Sequence, residues 1–405
     1  MIPLDEIKDA QLKNIRAACS YLFSPKLAQD YEFLENLDQT SVKTAYRNKA
    51  KEYHPDLHIS ESQEMHHRRK ERFLKIQESY EYLSNLFREC APTLFDRGSG
   101  RGDIIAIGGA KGGIGKTIFA ANLGVLLSSM GEKTVLVDLD LGGANLHLYL
   151  GETNIKGAIN DYLNKTVQNL QEITISSKYG PLLIGGDSSQ LGAANISFNQ
   201  KLKLLKAIKQ IDADYIILDL GGDTTYNIID FFLAADYGIV VTTCDPASYL
   251  ETYNFLKVAL YRKLNRLFGA ESAFNRKKDT ILQDIIHQFT FSIPLSSKNT
   301  IQDLLSLVKE THPRNLPLIR EVISTYHPYL LVNRVTNQCN VNEVVERIKL
   351  VSKKMLSVNV QYLGSIPYQQ EIESSVRELV PVVAEYPQGA LANKSRLIIK
   401  KLLSR

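Results

Sequence analysis

The 405-residue chain contains no tryptophan, only four cysteines, and almost no excess of charge of either sign. Cys19, Cys90, Cys244 and Cys339 are far apart and form no C-x-x-C, so they read as reduced thiols of a cytoplasmic protein and offer no iron–sulfur ligand set. No stretch of about 18 apolar residues is present, which excludes an ordinary helical bilayer span. The opening Met1-Ile2-Pro3-Leu4-Asp5-Glu6 lacks a basic region followed by an apolar core, so no secretion signal is visible. Lysine and arginine number 48 against 44 acidic residues, and the net +4 is too small to imply nucleic acid by itself. What remains is the composition of a soluble globular protein, 44% hydrophobic and 23% charged, long enough for two or three domains.

One stretch organises the chain. The apolar run Ile104–Ile107 leads into Gly108-Gly109-Ala110-Lys111-Gly112-Gly113-Ile114-Gly115-Lys116-Thr117, and a segment with apolar residues at helical spacing follows from Ile118 to Leu127. Strand, glycine-rich turn and helix in that order make a phosphate-binding loop. Glycine lets successive N–H groups converge on an anion, and the helix adds its positive end. Gly112, Gly113, Ile114, Gly115, Lys116, Thr117 and Ile118 are therefore the expected nucleotide-binding residues. Lys116 is expected on the β/γ-phosphates and the Thr117 hydroxyl on Mg²⁺.

The early lysine narrows the family. Lys111-Gly112-Gly113-x-Gly115-Lys116-Thr117 resembles the deviant Walker A motif of the MinD/ParA ATPases, and the resemblance runs over about residues 102–405. It implies ATP and Mg²⁺ as ligands and a homodimer in ATP, with Lys111 reaching the partner's phosphates. Asp138-Leu139-Asp140, closing the apolar run Thr134–Val137, resembles the family's first switch. By that resemblance Asp140 orients the attacking water, Asp138 supports the metal shell, Asp219 binds Mg²⁺ through water, and Asn333 reads the adenine amino group. Lys111, Lys116 and Asp140 are thus the catalytic candidates, and Thr117, Asp138 and Asp219 the metal candidates. Leu220-Gly221-Gly222-Asp223 departs from the family's usual Pro-Ala-Gly or Gly-Ala-Gly, and the extra carboxylate at Asp223 is expected to weaken phosphate binding. Further apolar runs at 182–184, 215–219, 237–241, 329–333 and 360–364 indicate an α/β, doubly wound, mostly parallel sheet covered on both faces.

A different pattern precedes the linker. Val42, Ala45, Tyr46, Ala50 and Tyr53 define one face of a helix capped by Thr40 or Ser41, and Lys43, Arg47 and Lys51 form a basic stripe on another. His54-Pro55-Asp56 ends that helix in a turn, and a second helix from about Met65 to Phe87 carries Phe73, Ile76, Tyr80 and Leu83 at core spacing. Residues 30–87 resemble the all-α J-domain of DnaJ-type co-chaperones. The resemblance implies that His54, Pro55 and Asp56 dock on a DnaK-type chaperone while Lys43, Arg47 and Lys51 steer the encounter. No Gly/Phe-rich or cysteine-rich module follows, so a general client-binding co-chaperone is not supported.

The remaining segments frame these two. Residues 1–29 carry a helical pattern through Ile7, Leu12, Ile15, Ala18, Tyr21 and Leu22, and residues 88–102 have the Pro, Gly and Ser content of a flexible linker. The ATPase domain is expected over 103–405, with a polar, helix-leaning insertion at 264–328 that makes a lid or partner surface. Residues 390–405 form a basic amphipathic helix, expected to pack on the sheet, with an anionic membrane surface as its alternative. The combined resemblance implies a slow, dimerising ATPase switch of FlhG-like type that positions a protein cargo. The alternatives are a nucleotide-gated scaffold with incidental hydrolysis and a DNA-partitioning ATPase; no basic stripe on the ATPase domain favours DNA.

Overall fold

The structure, a computed structural model, describes residues 9–35, 37, 39–53, 63–89, 102–187, 196–268, 279–291 and 300–403. The chain divides into two compact units.

The first unit is helical. It contains α1 (Asp9–Leu22), α2 (Tyr31–Glu35), α3 (Gln39–Tyr53) and α4 (Gln63–Glu89). Ile15, Ala18 and Leu22 of α1 share one core with Leu34, Val42, Ile76, Leu83 and Leu86, so the opening helix is packed into the same core as α2–α4. Tyr21, expected on the apolar face, is 42% exposed: at helical spacing it lies beside that stripe rather than on it. The helix placed from Val42 starts three residues earlier, at Gln39. Tyr46 stacks on Tyr80 with ring centroids 4.2 Å apart, tying α3 to α4. Lys43, Arg47 and Lys51 are all exposed on α3. His54, Pro55, Asp56 and residues 90–101 of the expected linker lie outside the described residues, and Arg88 and Glu89, placed in the linker, are instead the last residues of α4.

The second unit is built on an eight-stranded sheet in the order β3-β4-β2-β5-β1-β6-β7-β8. Its strands are β1 (Asp103–Gly108), β2 (Thr134–Leu139), β3 (Thr174–Ser176), β4 (Leu182–Ile184), β5 (Tyr215–Leu220), β6 (Tyr237–Thr242), β7 (Tyr329–Val335) and β8 (Gln361–Pro367). Every neighbouring pair is parallel except β3 with β4, and β3, a short edge strand of mixed polarity, carried no sequence signal. Alternation of side chains explains the continuous apolar runs: Ile104 and Ala106 enter one core, while Ile105 and Ile107 enter the other.

Around the sheet lie α5 (Lys116–Ser129), α6 (Ile159–Leu163), α7 (Phe198–Lys209), α8 (Tyr226–Leu233) and α9 (Pro246–Phe268). They are followed by α10 (Thr280–Phe291), α11 (Ile301–Thr311), α12 (Leu316–Ser324), α13 (Val341–Leu356), α14 (Gln370–Glu378), α15 (Val382–Glu385) and α16 (Ala390–Leu403). The segment read as a polar insertion supplies Leu282, Ile286, Ile301, Leu304, Val308 and Ile319 to the larger core, so α10–α12 are part of the helical layer and no free lid. Helix α16 places Leu391, Ala392, Ile398, Ile399 and Leu402 in the other core, against β8 and α5. Its apolar face is spent on the sheet, with Leu397 alone among its leucines and isoleucines strongly exposed, at 62%. No described helix is long and apolar enough to cross a membrane.

The four cysteines are not all free thiols. Cys244, after β6, and Cys339, after β7, form a disulfide with Cα atoms 5.9 Å apart. A sequence separation of 95 hid the pair, but β6 and β7 are neighbours in the sheet, so the turns leaving them meet at its carboxyl edge.

Candidate functional site

The chain's central strand determines where the site lies. β1 is flanked by β5 and β6, and the chain crosses to opposite sides of it, which opens a crevice beyond the strands' carboxyl ends. The glycine-rich turn fills that crevice. Gly115 has φ +91° at the start of α5, and a Cβ there would lie 2.3 Å from Asn333 Nδ2, so only glycine fits. By contrast, Cβ atoms built on Gly112 or Gly113 would meet nothing within 4 Å, leaving an open hollow in front of the loop's amides.

Lys116 opens α5 and is 7% exposed, with Nζ donating to Lys111 O at 3.0 Å. Burial pushes its ammonium pKa down, while Asp219, Asp140 and Asp223 pull it back up. The charges of all three carboxylates thus act on the lysine. Asp138 and Asp219 are cross-strand partners in the β2–β5 register, which puts two buried carboxylates side by side. Asp138 is committed to the switch turn: Oδ1 accepts from the Asp140 N–H at 3.2 Å and Oδ2 from the Leu146 N–H at 3.0 Å. Desolvation raises the pKa of Asp138 despite these bonds, and desolvation followed by the Asp138 charge raises Asp219 further.

Asp219 is the unsatisfied member. It is 1% exposed and neither carboxylate oxygen completes a hydrogen bond of normal geometry, although the Thr117 hydroxyl stands close enough to favour its anion. A buried orphan carboxylate beside a hydroxyl and an open phosphate hollow fits a hydrated Mg²⁺ bound with phosphate oxygens. Among the described residues no group of three or more His, Cys, Asp or Glu could hold a metal without such a ligand.

Asp140 sits across the mouth of the hollow. A Cβ on Gly221 would lie 3.1 Å from its Oδ1, and one on Gly222 would lie 2.8 Å from Gly112 N, so Gly221-Gly222 lets the β5 turn close on both. Asp223, whose carboxylate is expected to weaken phosphate binding, accepts from Thr225 N at 2.8 Å at the entrance to α8, and its charge reaches Lys116. The feature that sequence reading missed is Asp245: its Oδ2 lies 2.6 Å from Lys111 Nζ, an exposed ion pair within the chain that holds the early lysine. Acidic loop residues are common, so nothing in the sequence distinguished this one.

Asn333 is 8% exposed and donates to Ile114 O at 2.8 Å, and Arg334 Nη1 donates to Gly113 O at 3.2 Å. Both line a cavity of about 350 Å³ with Phe119, Pro367, Tyr368 and Ile372. That mainly apolar slot opens beside the glycine turn, where a base attached to a loop-bound phosphate chain would enter. Its far wall, after β8, had no sequence motif.

Comparisons with known proteins give the family. Residues 105–382 match the CobQ/CobB/MinD/ParA nucleotide binding domain, and residues 31–88 match the DnaJ domain. The chain is 32% identical over 178 residues to the flagellum site-determining protein YlxH of Helicobacter pylori, covering 44% of this chain and 60% of that protein's length. It is 22% identical over 301 residues to the antiactivator FleN of Pseudomonas aeruginosa, covering 74% and 85%. Among solved structures, MinD of Pyrococcus horikoshii with Mg-ADP aligns at 18% identity and TM-score 0.49 over 75% of this chain and 96% of that one. With the model match spanning most of the chain, this protein belongs to the CobQ/CobB/MinD/ParA nucleotide-binding family, a family of ATPases, and carries a DnaJ domain ahead of it.

Proposed function

We propose that the protein is a Mg·ATP-dependent dimerising switch of the MinD/ParA type, acting in the placement or assembly of a cellular complex, with a J-domain that recruits a DnaK-type chaperone. The observation that carries this reading is the pair of lysines on one loop. Lys116 is buried in the phosphate hollow, whereas Lys111 is exposed at its rim and held by Asp245. A second lysine on the rim has no phosphate of its own subunit left to serve, so a second subunit's nucleotide is its natural ligand.

In this scheme the base enters the slot between Asn333 and Tyr368, and the triphosphate lies on the amides of 112–117. Thr117 and Asp219 would hold Mg²⁺, which neutralises charge on the phosphates. Lys116 supplies the fixed cation inside the loop. Asp140, at the mouth, orients the water that attacks the γ-phosphate, and Asp138 fixes the switch turn that carries Asp140. Lys111 exchanges Asp245 for the partner's phosphates, so dimerisation reports ATP occupancy. The exposed stripe Lys43, Arg47 and Lys51 steers the chaperone toward His54, Pro55 and Asp56. The relatives named for flagellum site determination and antiactivation support a placement role, with a flagellar or divisional protein assembly as cargo.

Analytical ultracentrifugation with ATP turnover tests the switch. Asp140→Ala, which binds but hydrolyses poorly, should dimerise in Mg·ATP, Lys116→Ala should stay monomeric, and wild type should turn over slowly. A monomeric Asp140→Ala protein saturated with nucleotide would remove the dimerisation step. For the J-domain, His54→Gln should abolish stimulation of a DnaK-type ATPase.

A further inference from the structure

The nucleotide hollow occupies the carboxyl edge of the sheet. The opposite edge carries a second and more polar cavity, of about 460 Å³, which none of the residues above serves. It lies where β6, β7 and β8 begin and where α8, α12 and α16 end, and Lys263 of α9 forms one wall. Lys263 is the informative residue. Its Nζ makes one hydrogen bond, 3.2 Å to Thr325 Oγ1, and lies 5.9 Å from the centre of the Tyr326 ring. It ion-pairs with no carboxylate among the described residues.

An ammonium carries three N–H donors, and the Thr325 hydroxyl takes one while itself donating to Val322 O. Two donors therefore find no acceptor among the described residues, on a half-buried cation. Burial without a counter-charge pushes the pKa of Lys263 down to about 8, so the site holds its proton at a cost that an anion would relieve. Lys401 and His327 line the same cavity, against the single carboxylate of Asp236, which already accepts from Ile104 N at 2.9 Å. Tyr326 is 5% exposed, with a hydroxyl that makes no hydrogen bond among the described residues. Phe232 and Tyr329 supply flat apolar walls beside these polar groups.

We propose that this cavity is a second anion site, in which Lys263, with Lys401 and His327 at its rim, takes the phosphate group of a small phosphorylated molecule. The cavity exceeds the volume of a phosphate alone, so the aromatic walls receive the organic part. The three groups line one cavity: Lys263 is partly dehydrated and keeps donors that no described acceptor takes, while Lys401, which donates to Tyr362 O, and His327 are exposed at the rim. The site is separate from the glycine loop and lies at the other ends of the same strands, so its occupancy is not a consequence of nucleotide binding.

Calorimetric titration of inorganic phosphate into the full chain tests this. A non-hydrolysable ATP analogue and Mg²⁺ are kept saturating, so that the glycine loop is filled. One phosphate per chain is expected to bind, with affinity reduced about tenfold or more in Lys263→Gln, the loss of a charge-assisted bond, and largely kept in Lys263→Arg. Absence of this binding in wild type, or unchanged affinity in a folded Lys263→Gln, overturns the proposal. Should Lys263→Gln fail to fold, the rim variant Lys401→Gln/His327→Gln decides: both residues are exposed, and unchanged affinity there also overturns it. A parallel arm uses phosphatidylglycerol vesicles against phosphatidylcholine vesicles. Lys263-dependent vesicle binding without phosphate binding would assign a lipid headgroup and overturn the small-molecule site.

Discussion

Asp219→Asn should make the nucleotide-free protein more stable while removing its response to Mg·ATP. The wild-type carboxylate is buried beside Asp138 with no completed hydrogen bond, so its anion is uncompensated until a cation arrives. An unsatisfied buried charged group costs about 1–3 kcal/mol or more, and the neutral amide of the same shape removes the charge from that cost. With an unfolding entropy of about 2.1 cal/mol/K per residue over a unit of roughly 300 residues, that amounts to a melting point about 2–5 °C higher. The sign depends on pH. The folded-state pKa of Asp219 is raised above its ordinary 3.8, so the unfolded chain ionises first and wild-type stability falls as pH rises from that value toward the folded pKa. The variant lacks this loss. Its advantage should be small near pH 4 and grow as pH rises toward the folded-state pKa of Asp219, whereas Mg·ATP should raise the melting point of wild type alone. Differential scanning calorimetry with and without Mg·ATP at several pH values reads all of this. A variant destabilised equally across pH, or one that still gains the wild-type shift from Mg·ATP, would refute the orphan-carboxylate argument.

Three other measurements probe different parts of the molecule. Asp230 is fully buried among Lys201, Arg262 and Arg266; burial raises its pKa, but these cations outweigh it and hold the carboxyl below its ordinary value. Asp230→Ala removes the carboxylate that Lys201, Arg262 and Arg266 share and should cost about 3–5 kcal/mol, read as a lower urea midpoint; a loss below about 1 kcal/mol would mean the cations are held by other groups or by water. Asp245→Ala frees Lys111 and should let Mg·ATP dimers form at lower protein concentration with the fold unchanged; sedimentation velocity reads it, and a weaker dimer would show that Asp245 belongs to the interface instead. Alkylation of the denatured protein without reductant should label Cys19 and spare Cys244 and Cys339, with mass spectrometry as the check; labelling of all three would contradict the bridge.

Much was legible because some physical requirements are local. A phosphate loop needs its strand, glycines, lysine and hydroxyl within about fifteen consecutive residues, so 104–118 stands out unaided. Continuous apolar runs announce strands buried on both faces, and seven of the eight strands, β3 excepted, were readable that way. The pairing of α3 with α4 followed equally from helical spacing. The edge strand β3 escaped because three residues of mixed polarity carry no period, and α10–α12 read as a polar insertion because a helix needs only a narrow apolar stripe to join a core.

What the sequence by itself determined is the chemistry that short-range order can encode: a glycine-rich anion loop with two lysines, the parallel sheet that presents it, and a separate helical module ahead of it. Only tertiary structure decided which distant groups meet that loop. The Asp138–Asp219 pair, the Lys111–Asp245 contact, the Cys244–Cys339 bridge and the isolated Lys263 each depend on strand order and register. Register brings residues tens to more than a hundred positions apart into contact, and charges and thiols have no periodicity by which a linear reading could pair them.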